Sequence, residues 1–345
     1  MALDGRVTLR TVADHLGLSP TTVSRALKRG DDVNADTIDK VEAAARALGY
    51  RPHLGGINLR TGRTHAIGII LPLGGEGDVN KFVASLIEGV SSFLKTIGYR
   101  TAVVPLLRDD DPIIVLKELV SENSVDGIIL TNTKPQDERV KWLLQTKTPF
   151  ITFGRTELFS PHAFVDVDHE RIGARAGAMM FDAGHSQPLL IAPPEDLTYS
   201  MQFRRGWAQI HRERGVDLAP QSVICARNSS NAGLEIASSV LRDRPEITGA
   251  FIAHDDTAMG FVSGLRPFGK HVGEDFGIIT YGGTRMHSFI NPPLSAFTFP
   301  HVTTGQSLAR LLIKLIQGGR PEELQEVSQA DFNDLGSHHL TAKRL

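Results

Sequence analysis

From residue 65 onward the chain alternates short β-branched apolar runs with helical patterns, and this alternation limits the fold more than any other feature. The runs read "HAIGIILP", "YRTAVVPL", "VDGIILT", "PFITFG", "QPLLIAP", "SVICA", "ITGAFIA" and "FGIITYG". They are strand-sized, and segments of helical period, such as 80–97 and 171–183, separate them. Strands joined through helices pair in parallel by right-handed crossovers. The series breaks near 154–168, so the expected body is α/β, with two doubly wound lobes. Ligands of open α/β sheets bind beyond the carboxyl ends of the strands. Two lobes turning those ends toward one cleft make a clamp for a small molecule.

The 64 residues ahead of this body differ in kind. In "TLRTVADHLGLSPTTVSRAL" (8–27), Leu9, Val12, Ala13 and Leu16 recur at i, i+3, i+4 and i+7. Thr8 is placed as an N-cap and Gly17 as a helix stop. Ser19 and Pro20 then start a second helix. Val23, Ala26 and Leu27 can pack back on the first helix, which leaves Thr21, Ser24, Arg25 and Lys28 on the opposite face. Short hydrogen-bonding side chains with two cations and nothing apolar suit a DNA major groove. The same stripe would also serve as an ordinary solvated face, so the context has to decide. A third helix is expected between Asn34 and Gly49, with Ile38, Val41, Ala45 and Leu48 closing a three-helix core.

Charge supports the division. Residues 1–64 carry ten Lys/Arg against seven Asp/Glu, while the whole chain of 345 residues has a net charge of −2, leaving −5 on the body. A basic head on an acidic body fits a nucleic-acid module joined to something else. The single cysteine, Cys225, excludes a disulfide framework and a cysteine-based zinc site, and its apolar run predicts a buried thiol. The N-terminus lacks a signal-peptide core and no run approaches a membrane span, which predicts a cytoplasmic protein.

The order "VTLRTVADHLGLSPTTVSRAL", "VNADTIDKVEAAARALGYRP", "LRTGRTHAIGIILP" resembles the LacI/GalR family of bacterial transcription regulators. The resemblance extends over the full length and is most specific in the first 70 residues. It implies a helix-turn-helix head (1–52), a hinge helix and linker (53–64), and an effector-binding and dimerisation body (65–345) of the type I periplasmic-binding-protein kind. The first lobe would hold about 65–164 and 296–325, and the second about 165–295 plus the C-terminal segment. The chain would cross between lobes three times, with "LSAFTFPH" as the second crossing and the third after Ile316.

By the same resemblance, Leu9, Pro20, Thr21, Ser24 and Arg25 meet the operator, with Arg25 suited to bidentate contact with guanine. Lys28, Asn34, Thr37 and Tyr50 match phosphate-contacting positions. Leu59 is the hinge leucine that would wedge open the minor groove. Gly55 and Gly56 depart from the pattern, and glycine is a poor helix former, so this hinge should depend strongly on DNA and on dimerisation.

For the effector, the resemblance singles out Asn80, Phe82, Thr131, Arg155, Asn228, His254, Asp255 and Phe299. Asp255 matches the acid of an "A-N-D" signature, with His254 replacing the asparagine; His254 could instead merely cap a helix. Phe203 stands where many members have an arginine, with Gln202 or Arg204 as possible substitutes. Gly282 and Gly283 follow Tyr281 where an aspartate is common. The loss of an arginine and a carboxylate predicts a roomier, more apolar pocket and a neutral carbohydrate effector. The implied protein is a homodimeric regulator, a repressor, of a pseudo-palindromic operator, with no cofactor, metal or membrane partner. The competing class is an enzyme acting on a small sugar and carrying a DNA-binding head. Against it, the sequence holds no G-x-S-x-G, P-loop, dinucleotide fingerprint or His/Cys metal spacing, and the pair His338–His339 lacks a partner cluster in sequence.

Overall fold

The computed structural model describes residues 7–27, 30, 33–50, 63–72, 81–282 and 285–341. Lys28, the hinge with Gly55, Gly56 and Leu59, Asn80 and Gly283 lie outside the described residues. The chain divides into two compact units, Met1–His65 and Ala66–Leu345.

In the first unit, the Thr8 hydroxyl accepts from the Thr11 amide while the Thr11 hydroxyl accepts from the Thr8 amide, both at 3.2 Å. This reciprocal cap starts α1 (Leu9–Leu16). Gly17, at φ 65°, ends α1 in a left-handed turn that disfavours any side chain. Ser19 Oγ then accepts from the Thr22 amide at 3.0 Å to start α2 (Pro20–Ala26). The carboxamide of Asn34 caps α3 (Ala35–Ala47). Val12, Ala13, Val23, Ala26, Val41, Ala44 and Ala45 form the core of the unit, with Leu9, Ile38, Leu48 and Tyr50 packed around it.

The first lobe of the second unit contains β1 (Ala66–Pro72), α4 (Lys81–Thr96), β2 (Arg100–Leu106), α5 (Pro112–Ser121), β3 (Gly127–Leu130), α6 (Glu138–Thr146), β4 (Phe150–Phe153) and β5 (Ala163–Val167). The second contains α7 (His169–Asp182), β6 (Leu189–Ala192), α8 (Thr198–Glu213), β7 (Val223–Cys225), α9 (Ser230–Asp243), β8 (Gly249–Ile252), α10 (Asp255–Leu265), β9 (Gly277–Tyr281) and β10 (Ser295–Thr298). The chain then returns through α11 (His301–Ile316) and β11 (Gln325–Ser328), and finishes in β12 (Asp331–Asn333). The sheets run β11-β5-β4-β3-β1-β2 and β12-β10-β9-β8-β6-β7, and only β12 is antiparallel to its neighbour. In each lobe the opening strand lies between the second and third, so the winding reverses beside it. Such a switch point opens a crevice at the strand ends.

β5 belongs whole to the first sheet and β10 whole to the second, so the expected lobe limits near 164 and 296 fall inside strands. The crossings lie at Asp168, between Thr298 and His301, and between Ser328 and Asp331. α4 and α11 pack on one another in the first lobe's core. A methyl on Gly89 or Gly305 would collide with the backbone of the facing helix, at Val302 or Leu86, so this crossing needs glycine. That close crossing fixes the helices that present Phe82 and His301.

One expectation is corrected here. Cys225 is exposed, because it ends β7, the edge strand of its sheet, which has a neighbour on one side only. Among the described residues, no helix is long and apolar enough to cross a membrane.

Candidate functional site

Aromatic rings gather where the strands of both lobes end. Phe82, on α4, lies 5.3 Å from Phe153, at the end of β4. Phe153 stacks on Phe299 (6.0 Å, 21°), and Phe299 stacks on Tyr281 (5.6 Å, 14°), at the end of β9. The rings thus run from one lobe to the other. Their faces offer apolar surface with a negative quadrupole, which suits the C–H face of a ring-shaped ligand.

Beside this stack is a buried polar network. Asp166, in β5, is 0% exposed and accepts from Arg155 Nε at 2.7 Å and from the Val167 amide at 2.8 Å. Burial alone would raise its carboxyl pKa, but His169, the Arg155 guanidinium and the Val167 amide outweigh burial and hold it below the usual carboxylate range. His169 Nδ1 lies 3.5 Å from Asp166 Oδ1 and 3.3 Å from Gln202 Oε1, and Nε2 lies 3.0 Å from the Tyr281 hydroxyl. Nδ1 can donate toward the Asp166 and Gln202 oxygens, while Nε2 pairs with the Tyr281 hydroxyl. Arg155 and Asp166 belong to the first lobe, and His169, Gln202 and Tyr281 to the second, so the network straddles the crossing at Asp168.

Asp255 opens α10 and is buried, with the Thr280 hydroxyl 3.4 Å from Oδ1. A methyl built on Gly282 would lie well inside van der Waals contact distance of Asp255 Oδ2. The Asp255 carboxylate therefore fills the space beside Gly282. His254 stands at the N-cap position of α10 but makes no capping bond with its side chain. Its Nε2 lies 3.4 Å from the Tyr199 hydroxyl, and burial, with His169 nearby, holds its pKa down to about 4. It is a neutral imidazole at neutral pH.

The remaining expected residues divide. Thr131 is buried just beyond β3. The Asn228 amide donates to Asp256 Oδ2 at 3.0 Å, which ties it to the first turn of α10. Phe203 is 0% exposed and packs behind the site, edge-on to His169 at 5.0 Å and to Tyr281 at 5.3 Å. Arg204 is ion-paired with Glu195. The arginine absent at 203 is thus replaced by core packing. In the head, Thr21 and Arg25 are exposed and Ser24 half-buried on the face of α2 opposite Val23 and Ala26. Pro20 begins that helix, Asn34 caps α3, and Leu9 and Tyr50 pack on the core. Thr37 is half-buried in the first turn of α3.

Sequence reasoning missed Phe153, Asp166, His169, Tyr199, Tyr281 and His301. Asp166 and His169 sit in "FVDVDHERIG", where alternation and a D-x-x-H spacing were legible only once β5 was recognised. His301 is 6% exposed and lies 4.4 Å from the Phe299 ring and 5.0 Å from Phe82, and its Nε2 has no hydrogen-bond partner among the described residues. Burial holds its pKa down to about 4. Between pH 6.5 and 4 the unfolded chain takes up a proton at this residue that the folded chain refuses, so stability is lost as pH falls through that window. The full loss approaches about 3 kcal/mol. His301→Leu is therefore expected to stabilise the protein, and more at pH 5 than at pH 7.5, in paired urea titrations. An unchanged or smaller gain at pH 5 would contradict the burial argument.

Comparison with known proteins agrees with this geometry. Residues 8–53 match the family described as bacterial regulatory proteins, lacI family, and residues 178–330 match a periplasmic binding protein-like domain. The HTH-type transcriptional regulator AglR of Rhizobium meliloti is 29% identical over 94% of this chain and 92% of its own length. RafR of Escherichia coli, likewise an HTH-type transcriptional regulator, is 29% identical over 92% of this chain and 95% of its own. Among solved structures, the lac repressor dimer bound to operator and the anti-inducer ONPF superposes with a TM-score of 0.84, at 21% identity, covering 97% of this chain and all of that one. The CelR–cellobiose complex superposes at 0.71, with 24% identity over 96% of this chain and all of that one. These relatives are regulators and not enzymes, and the two matched domains occupy the head and the body just described. The chain belongs to the LacI family of bacterial DNA-binding transcription regulators.

Proposed function

We propose that this regulator acts in the cytoplasm as a homodimeric repressor whose hold on a two-fold operator is set by a neutral sugar bound between the lobes of its body. The observation that carries the sugar reading is the buried Asp255 carboxylate, packed against Gly282 directly after Tyr281, at one end of the ring series Tyr281, Phe299, Phe153 and Phe82 that runs between the strand ends of the two lobes. A carboxylate accepts from two hydroxyls while aromatic faces pack on the ring's C–H surface. Cellobiose in the CelR complex is a ligand of this chemistry. Anions are disfavoured because the charge of Arg155 is already balanced by Asp166. His301 Nε2 has no partner among the described residues, and a ligand hydroxyl would satisfy it. Calorimetry of the full chain with neutral mono- and disaccharides, and with sugar phosphates for contrast, tests the reading. Heat from the phosphates alone would overturn it.

At the other end, residues 1–52 form the operator-reading domain and 53–64 the hinge, in this proposal. Pro20, Thr21, Ser24 and Arg25 face the bases, with Leu9 alongside. Lys28, Asn34, Thr37 and Tyr50 hold phosphates, and Leu59 enters the minor groove. Residues 65–345 bind the effector and pair the subunits, since a two-fold operator requires two heads. Arg25→Ala should lose about 1–3 kcal/mol on operator and relax one base position in each half-site. Titration of matched and mismatched duplexes measures both. An equal loss on random DNA would reassign Arg25 to the backbone.

A further inference from the structure

The tail of the body brings together donors that the sequence leaves apart. Gly336, at φ 78°, and the bond from the His339 amide to the Gly336 carbonyl at 3.2 Å turn the chain so that His338 and His339 lie side by side, ring centroids 4.0 Å apart. Asp334, four residues before His338, lies against the same rings, with Oδ1 3.8 Å from His338 Nδ1. One ligand atom from each of the three residues falls within 4.8 Å of the other two. The pair called partnerless from sequence thus has a carboxylate partner, which the turn supplies.

We propose that Asp334, His338 and His339 form a binding site for a divalent transition-metal ion. Two imidazoles and one carboxylate are the donors chosen by Zn2+, Co2+ and Ni2+, whereas Mg2+ and Ca2+ prefer oxygen alone. Metal–ligand bonds of about 2.0–2.2 Å require the three donor atoms to draw together by roughly 1 Å, which side-chain rotation can deliver because Asp334 and His339 are exposed. The carboxylate is already oriented: Asp334 Oδ1 accepts from the Gly336 amide at 2.9 Å and the Ser295 hydroxyl at 3.2 Å. Outer hydrogen bonds of this kind aim a ligand at its metal. His338 is buried, its carbonyl accepts from His185 Nε2 at 2.9 Å, and its Nδ1 lies 3.2 Å from Ser295 Oγ, a contact that an ion bound at Nδ1 would replace. The exposed Asp334 and His339 side chains give the ion a way in to the buried His338 ring and leave the other coordination positions to water.

The ion would fasten the last described turn to the second lobe. Ser337 already bonds the Ile278 carbonyl and the Ser295 amide there, so metal binding should stabilise that lobe by mass action. A second group of donors, His271, Glu274 and Asp275, has a single imidazole and serves as an internal control.

The test is titration of untagged, chelator-treated full-length protein with Co2+ and Zn2+, following visible absorption, heat and the thermal midpoint. The expected result is one saturable site per chain and a raised midpoint. D334N/H339A changes only exposed side chains, so it should fold. It should lose at least tenfold in affinity, a change that even an indirect ligand partner can cause. H271A should bind as the parent does. Absence of saturable binding, or binding that survives D334N/H339A and disappears in H271A, would overturn the assignment. None of these outcomes depends on the sugar reading.

Discussion

Gly282→Ala is expected to remove effector control as completely as Asp255→Ala, although the added methyl carries no polar atom. Its Cβ would overlap Asp255 Oδ2, so the carboxylate must swing away from the ring stack or the β9–α10 junction must open. Either movement separates the acceptor from the aromatic faces. Asp255→Ala deletes the acceptor outright. Hydrogen bonds to a charged group contribute about 1.5–3 kcal/mol each, so two lost to a sugar weaken binding by a factor of at least 100. Operator affinity without effector should stay near the parent's in both variants, because the substitutions lie in the body and not in the operator-reading head. Sugar calorimetry with parallel operator titrations measures both quantities. Full sugar affinity in Gly282→Ala would mean that Asp255 does not hold the ligand from its present position.

The largest loss of stability is expected from Arg155→Ala. Asp166 is 0% exposed, and Arg155 Nε lies 2.7 Å from it. Removing one partner of a buried pair leaves the other charge uncompensated, at a cost of about 3–5 kcal/mol. The half-exposed Arg155 side chain and the nearby His169 reduce this to roughly 2–3 kcal/mol. Arg155→Ala/Asp166→Asn should recover most of the deficit, because the carboxamide carries no charge to strand. The depressed Asp166 carboxyl adds a pH signature. Its contribution is present above the ordinary carboxylate pKa and lost as pH falls through its own lower value. Asp166→Asn should therefore flatten the acid limb of a stability–pH curve. Urea titrations of the parent and the three variants, read as a cycle, decide the matter. A double variant no better than Arg155→Ala would show that the arginine stabilises by packing alone.

Two other inter-lobe pairs, Lys134–Asp196 at 2.9 Å and Arg205–Glu157 at 3.0 Å, are largely solvated and should contribute little each. A bond from the Thr198 amide to the Thr133 carbonyl, 2.9 Å, accompanies them.

The elements most legible in sequence were those whose local chemistry leaves few alternatives. The Thr8, Ser19 and Asn34 caps, the stop at Gly17, and eight β-branched runs all lie where period and capping place them. β5 and β11 were harder, because "AFVDV" and "QEVS" carry charged residues within the strand pattern. Their parallel pairing, from Gln325 beside Phe164 to Ser328 beside Val167, joins residues about 160 apart. The site was legible in part. Asp255, Phe82 and Phe299 followed from the resemblance, whereas Asp166, His169 and His301 depend on which chain crossings meet. Phe203 shows the opposite difficulty: a position marked in relatives is filled here by a core side chain.

The most direct test of the account is operator affinity of the full-length protein measured against a rising concentration of each neutral mono- and disaccharide in a panel, with sugar phosphates and purines as controls. At least one neutral sugar should change operator affinity tenfold or more, at concentrations between its Kd for the free and for the operator-bound protein, and Asp255→Ala should abolish the change. A response confined to phosphorylated or purine ligands, or a sugar response unaltered by Asp255→Ala, would contradict it.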